Sequence, residues 1–189
     1  MKQKQKFYKL TIGNCTRELP VCPITEDLYI AGFILLGDHE LSTECAKKLL
    51  ELAPEYDYII SAEAKGITLA NEMARLHGDK KYFIARKGAK LYMTGTFEVE
   101  VRSITTAKVQ RLYLDKLDAD LIKGKRMLIV DDVISTGESL AALEALVNKA
   151  GGIIVGKLAV LAEGAAQKRE DITYLAPLPL FDRDGNPLE

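Results

Sequence analysis

A strand–loop–helix pattern that occurs twice is the feature that most constrains the fold. In the first copy, the apolar run DYIISA leads through residues 63–66 into a stretch with apolar residues at helical spacing. In the second copy, MLIV leads through DDVISTG into ESLAALEALVNKA, and the apolar runs KYFIA and IIVGKLAVL follow the two helices. Buried strands that alternate with helices form parallel sheets. Residues 42–175 are therefore predicted to form an α/β core, a parallel sheet with helices on both faces.

The length of 189 residues is that of a single domain. The 26 Lys and Arg against 27 Asp and Glu give a net charge of -1, so the chain as a whole does not attract nucleic acid. No apolar run reaches the length of a membrane span, and no signal-type run follows the N-terminal lysines. Three cysteines without a CxxC spacing favour neither a disulfide framework nor a zinc site. We expect one cytoplasmic domain over residues 1–189 that binds neither nucleic acid nor a membrane.

The first forty residues differ from the rest of the chain. Glycine and proline repeatedly interrupt their short apolar stretches, which favours irregular strands and turns. We interpret residues 1–40 as an appended subdomain. The helix that follows is predicted to begin at Ser42 or Thr43, because both residue types cap helices, and to end before Pro54.

A second excursion lies within the predicted core, at residues 88–115. FEVEV and TAKVQRLYL alternate apolar and polar side chains, which indicates antiparallel strands rather than a crossover helix. The predicted β-hairpin is either an ordinary solvated hairpin or a flexible lid over a site. We predict a lid with Gly95 as hinge, whose ligand contacts would come from Arg102, Ser103, Thr105 and Thr106.

The segment LIVDDVISTGES combines a buried strand with a turn that opens a helix. Strand ends of open α/β sheets bind ligands, and free N–H groups at a helix N-terminus bind phosphate. The turn is predicted to be a phosphate site made of Ser135, Thr136, Gly137, Glu138 and Ser139. Glu138 does not suit an anion site, so its side chain is expected to point to solvent. No Walker motif and no GxGxxG motif is present, so a P-loop nucleotidase and a dinucleotide site are not supported.

Asp131 and Asp132 directly precede this turn. Two carboxylates can grip adjacent hydroxyls of a sugar, or hold a water molecule of a bound magnesium ion. An Asp pair at a strand end is also common in solvated turns. The adjoining phosphate turn favours the sugar-binding interpretation.

The order of apolar strand, Asp pair, two residues and STG resembles the phosphoribosyl pyrophosphate signature of the type I phosphoribosyltransferases. The resemblance implies a parallel-sheet fold for the core, with residues 1–40 as a small hood and residues 88–115 as the lid. It implies that Asp131 and Asp132 bind the ribose and that residues 135–139 bind the 5-phosphate. It also implies magnesium as the cofactor, held by the same two Asp side chains through water, and a homodimer.

Two further segments resemble the adenine phosphoribosyltransferases within this family. SAEAKGI resembles their loop EARGF, and ARKGAKL resembles their segment RKxGKLP. Arg86, together with the Asp pair, forms the catalytic set that the resemblance implies. The residues implied to bind pyrophosphate are Glu63, Ala64, Lys65, Gly66, Arg86, Lys87 and Lys90.

The base is assigned by weaker resemblances. TRELP, LAEGAAQKRE and APLPLF are similar to segments of the same enzymes, which implies a base pocket near Val133, Glu163 and Gly164. The implied reaction transfers a phosphoribosyl group from phosphoribosyl pyrophosphate to a purine base, adenine first, with xanthine or orotate as alternatives. The alternative from another class is a regulator that senses phosphoribosyl pyrophosphate without catalysis.

Overall fold

The computed structural model describes residues 5–102 and 109–188. Its centre is a five-stranded sheet in the spatial order β10, β9, β8, β4 and β5. All neighbouring strands in it are parallel, so the predicted α/β core is confirmed. These strands are β4 (Tyr58–Ala62), β5 (Phe83–Ala85), β8 (Arg126–Ile134), β9 (Ile153–Glu163) and β10 (Thr173–Leu178).

Helices cover both faces of this sheet. α1 (His39–Leu52) and α2 (Gly66–His77) pack on one face, and α3 (Lys116–Ile122) and α4 (Glu138–Lys149) on the other. Each strand contributes to both faces because successive side chains point in opposite directions. Leu128 packs with α1 and α2, whereas the next residue, Ile129, packs with α4. A short 3-10 helix (Gly164–Lys168) joins β9 to β10.

α1 begins earlier than predicted. Asp38, not Ser42 or Thr43, is its N-cap, and the carboxylate of Asp38 accepts a hydrogen bond from the N–H of Leu41 at 3.1 Å. The Ser42 hydroxyl instead donates to the carbonyl of Asp38 at 2.7 Å, inside the first turn. Arg17 pairs with the Asp38 carboxylate at 2.6 Å, so the hood orients this cap.

The hood consists of strands and turns rather than βα units, as predicted, and its strands form one antiparallel sheet. Its strands β1 (Phe7–Ile12), β2 (Cys15–Pro23) and β3 (Tyr29–Ala31) are joined by β11 (Leu180–Phe181) and β12 (Pro187–Leu188). β11 pairs with β3. The hood therefore requires both ends of the described chain and is not formed by residues 1–40 alone.

The predicted hairpin is present, with β6 (Thr96–Arg102) paired to β7 (Val109–Asp115). Its base is fixed: Leu112 and Leu114 are buried, and Tyr113 exchanges two backbone hydrogen bonds of 2.8 Å with Arg86. Gly95, the predicted hinge, is part of this base, because its carbonyl accepts from the N–H of Lys116 at 2.9 Å. The predicted lid contacts lie outside the described residues: Ser103, Thr105, Thr106 and the side chain of Arg102.

None of the helices that the structure describes has the length and apolar character of a membrane span.

A tight contact at Gly152 gives a test of the packing beneath α4. A methyl group there would stand 2.7 Å from Cγ2 of Ile122 and 2.9 Å from Cγ1 of Val147. We expect Gly152→Ala to lower the free energy of unfolding in urea by about 1–3 kcal/mol, the usual cost of overpacking. Gly88→Ala is the control, because no atom lies within 4 Å of its added methyl group. An equal loss of stability in both variants would contradict the packing described here.

Candidate active site

The predicted site segments meet at one edge of the parallel sheet. β4 leads into residues 63–66, β5 into residues 86–90, and β8 into the turn at residues 135–139. Since the three strands are parallel neighbours, their carboxyl ends lie side by side, where α/β sheets bind ligands. A cavity of about 270 Å³ beside β7 is lined by Lys87 from one of these loops and by Ser139 from the first turn of α4.

The prediction placed Asp131 and Asp132 in a loop after the strand. In the structure both residues belong to β8 itself. Asp132 is buried, with 3% of its surface exposed, and pairs with Nζ of Lys65 at 3.4 Å. Asp131 lines a small cavity together with residues 133–140. The Asp pair therefore contacts two separate loops, because Lys65 of the first loop pairs with Asp132 and the turn at residues 135–139 lies beside Asp131.

The turn at residues 135–139 has the predicted shape, a tight turn that leads into a helix. Gly137 adopts a left-handed conformation, with φ of 80°, and is the residue before α4. It has no side chain that could cap the first turn, and apart from the N–H of Glu138, which donates to Oγ1 of Thr136 at 3.5 Å, the backbone N–H groups there are placed to meet an anion. The turn, together with Asp131, encloses a cavity of about 100 Å³.

The side chain of Glu138 was expected to point to solvent, but the structure shows a different orientation. Its side chain is half-buried, and Oε2 accepts a hydrogen bond of 3.5 Å from Nε2 of Gln110 in β7. The carboxylate is thus directed to the hairpin, away from an anion in the turn. Sequence reasoning missed Gln110, because cross-element pairs of this kind leave no local pattern.

Glu63 organises the basic residues of the second loop. Its carboxylate accepts from the N–H of Lys87 at 3.0 Å and lies 3.7 Å from Nε of Arg86 and 3.9 Å from Nζ of Lys90. The Lys87 N–H, followed by the charges of these cations, lowers the pKa of Glu63 below its usual value. Ala64 and Lys65 are exposed, and the peptide bond between Glu63 and Ala64 is cis. Glu63 therefore holds three cationic residues together at this edge.

Gly66 allows α2 to start directly against β8. A methyl group on Gly66 would stand 3.0 Å from Oδ1 of Asp131 and would overlap Oγ of Ser61. Any side chain at this position would therefore push the loop away from the strand. Ser61 was not predicted to belong to the site, since a serine inside an apolar run carries no functional signal.

Three buried side-chain atoms of the described residues make no hydrogen bond within the protein, and all three lie at this edge. They are Oγ of Ser61, Nε of Arg86 and Oδ2 of Asp132. Buried polar groups are almost always hydrogen-bonded, so three exceptions in one place indicate a site that a polar ligand completes.

The predicted base-pocket residues are divided between two cavities. Val133 lines the small cavity of the phosphate turn. Glu163 is the last residue of β9, and Gly164 lines a different cavity, beside Pro179 and Leu180. The structure thus brings Val133, but not Gly164, into contact with the phosphate turn.

Asp131 provides a test of the electrostatics of the pair. Burial, followed by the charge of Asp132, raises the pKa of Asp131 above its ordinary value of 3.8. The folded protein then binds a proton more tightly than the unfolded chain, so this residue destabilises the fold as the pH rises above that value. We expect Asp131→Asn to raise the free energy of unfolding at about pH 7 and to have no such effect at about pH 3, in urea titrations without divalent metal.

Glu72 is the control of opposite sign. Hydrogen bonds from Arg75 lower the pKa of Glu72 to about 2, so its ionised form stabilises the folded state. Glu72→Gln should lower the free energy of unfolding at about pH 7. If Asp131→Asn also lowered it there, the description of Asp131 as a destabilising, desolvated group would be wrong.

Comparison with known proteins agrees with this geometry. The family model of the phosphoribosyl transferase domain matches residues 39–177, more than half of the chain. The adenine phosphoribosyltransferase of Petrotoga mobilis is 34% identical over 164 residues, covering 85% of this chain and 86% of the relative. The hypoxanthine/guanine phosphoribosyltransferase of Methanotorris igneus is 38% identical over 158 residues, covering 84% of this chain and 80% of the relative.

Solved structures agree on the fold. The adenine phosphoribosyltransferase of Thermoanaerobacter pseudethanolicus has a TM-score of 0.61 at 23% identity, covering 76% of this chain and 84% of that chain. The enzyme of the same name from Saccharomyces cerevisiae has a TM-score of 0.59 at 19% identity, covering 90% and 92%. At such identities these structures show the fold alone. Since the family model spans the parallel sheet and its loops, the chain belongs to the phosphoribosyltransferase family and has the type I fold.

Proposed function

We propose that this protein transfers the phosphoribosyl group of phosphoribosyl pyrophosphate to adenine, giving AMP and pyrophosphate in purine salvage. The observation that carries the proposal is the Asp pair of β8, which contacts both candidate anion-binding loops. The three described buried atoms that make no hydrogen bond lie at the same edge of the sheet. The donor has a phosphate at one end and a pyrophosphate at the other, with a ribose between them. That order of groups matches the order of the loops and the Asp pair.

Each part of the donor has a matching group of residues. The turn at residues 135–139 would hold the 5-phosphate on backbone N–H groups and hydroxyls. Asp131 and Asp132 would bind the ribose hydroxyls. Lys65, Arg86, Lys87 and Lys90 would bind the pyrophosphate, while Glu63 keeps its neighbouring cations in position.

The chemistry follows from these positions. Breaking the bond between C1 and pyrophosphate develops positive charge on the ribose and negative charge on the leaving group. The carboxylates lie on the side where positive charge develops, and Arg86 and its basic neighbours lie on the side where negative charge develops. No covalent nucleophile is needed, and the hairpin would exclude water from the sugar.

Magnesium fits the residues present. The described residues contain no group of three or more acidic, His or Cys side chains that could form a complete metal cage. Mg²⁺ is usually held by one or two carboxylates, its own waters and substrate phosphates. Asp131 and Asp132 would hold it through water, and the ion would neutralise charge on the pyrophosphate. Oδ2 of Asp132 lies 3.4 Å from Nζ of Lys65 but makes no hydrogen bond, so it is the carboxylate oxygen that would accept from such a water.

A 6-oxopurine is the second candidate base. A relative from Methanotorris igneus that is 38% identical carries the name hypoxanthine/guanine phosphoribosyltransferase, whereas relatives from Petrotoga mobilis and Thermotoga maritima carry the adenine name. Xanthine and orotate remain alternatives, as does a sensor that binds the donor without turnover. The homodimer and the cytoplasmic location also stay predictions.

A panel of bases tests the assignment. With magnesium and phosphoribosyl pyrophosphate, we expect adenine to give the highest kcat/KM among adenine, hypoxanthine, guanine, xanthine and orotate, read from the nucleotide formed. A preference of about tenfold or more for another base, roughly 1.4 kcal/mol in transition-state binding, would reassign the substrate. Binding of the donor without pyrophosphate release for any base would favour the sensor.

The Asp pair provides the second test. Replacing both Asp131 and Asp132 with Asn should lower kcat/KM by on the order of a hundredfold or more, since the ribose would lose contacts that strengthen in the transition state. Asp57→Asn is the control, because Asp57 pairs with Arg126 at the opposite end of β8. Wild-type kinetics in the double variant would remove the Asp pair from the site.

A further inference from the structure

Arg169 lies against the phosphate turn, although it is more than thirty residues further along the chain. It follows the 3-10 helix after β9, and its Nη1 would be 2.5 Å from a methyl group placed on Gly137. A methyl group at position 137 would force the end of the Arg169 side chain to move away from the turn. The left-handed φ of 80° at the same residue independently favours glycine.

The guanidinium has a fixed orientation. Its Nε and Nη2 donate to the two carboxylate oxygens of Asp171, at 2.9 and 2.7 Å. This two-point contact occupies one edge of the planar group. Nη1 is on the opposite edge and faces Gly137, so the positive end of the ion pair is directed at the turn.

The ion pair is part of a network that reaches α4. Asp171 also accepts from Nζ of Lys157 at 2.5 Å, and Lys157 contacts Oε1 of Glu144 in α4 at 3.2 Å. The network therefore connects β9 and the segment before β10 to the helix whose first turn follows Gly137. A guanidinium held in this way loses little conformational freedom when it meets an anion.

We propose that Arg169 is a further phosphate-binding residue, whose Nη1 edge supplies positive charge and hydrogen-bond donors to the 5-phosphate in the turn at residues 135–139. This inference rests on the proposed function, because it assumes that the turn binds the phosphate of the donor. The segment LAEGAAQKRE was assigned above only to the surroundings of the base, so Arg169 gains a separate role at the opposite end of the substrate.

Two ligands that bind different loops separate this role from a structural one. Ribose 5-phosphate carries the group that Arg169 would meet, whereas inorganic pyrophosphate carries the group assigned to Lys65, Arg86 and their neighbours. In calorimetric titrations, Arg169→Gln should lower the affinity for ribose 5-phosphate by about tenfold or more, as expected for the loss of a charged hydrogen bond. Pyrophosphate affinity should stay within about twofold. Arg169→Lys should fall between the wild type and Arg169→Gln for ribose 5-phosphate, because the charge remains but the fork is lost.

Two further variants control for stability. Arg126→Gln removes an arginine with comparable acidic partners, Glu55 and Asp57, at the far edge of the sheet, and it should leave both affinities unchanged. The double variant Arg169→Gln, Asp171→Asn removes one positive and one negative charge, so the net charge of the network is unchanged. It should reproduce the selective loss of affinity for ribose 5-phosphate. In steady-state kinetics, the same loss should raise the KM for phosphoribosyl pyrophosphate more than it lowers kcat.

The outcomes are distinguishable. Two results for Arg169→Gln would overturn the role of Arg169 and leave the proposed function intact. One is an equal loss of affinity for both ligands, and the other is an unchanged affinity for ribose 5-phosphate. A wild-type protein that binds neither ligand would overturn both.

Discussion

Two adjacent carboxylates at the end of a buried parallel strand are the constraint on which the rest of the site depends. β8 lies between β9 and β4, so Asp132 is buried and Asp131 half-buried on a central strand of the sheet. Like charges in such a place are unfavourable, and the raised pKa of Asp131 reflects that cost. Lys65 offsets part of it at Asp132. A fold optimised for stability alone would place apolar residues here, and the proposed binding of the donor would account for the pair.

The two helices that follow the binding loops approach this strand end in the same way. α2 begins at Gly66, where a side chain would collide with Ser61 and Asp131, and α4 begins just after Gly137, where a side chain would collide with Arg169. Helix N-termini carry partial positive charge and free N–H groups. Two of them, placed on either side of one Asp pair, create the alternation of positive and negative regions that a sugar with phosphates at both ends requires. The two glycines thus let the positive helix N-termini lie close to the negative Asp pair.

The core and the order of the loops could be predicted from the sequence because their signals are local. The apolar strands, the turn residues 135–139 and the basic residues after β5 each lie within a few positions of one another, and the parallel sheet then brings them together. The hood could not be predicted in the same way. β3 pairs with β11, about 150 residues further along the chain, and neither short strand has a pattern that specifies its partner. The contacts of Glu138 with Gln110, and of Arg169 with Gly137, were missed for the same reason, since they join residues from separate elements.

The hairpin shows how the fold limits where motion can serve the site. Its base is joined to β5 through the backbone pairing of Tyr113 with Arg86, and Nζ of Lys149 in α4 donates to the carbonyl of Glu98 in β6 at 2.7 Å. A movement of this base would displace Arg86, a residue assigned to the leaving group, and would expose the buried Leu112. Arg86 can stay aligned with the donor only if the base remains in place. The described base is therefore not the moving part of the proposed lid, and Gln110, in contact with Glu138, lies beside this base.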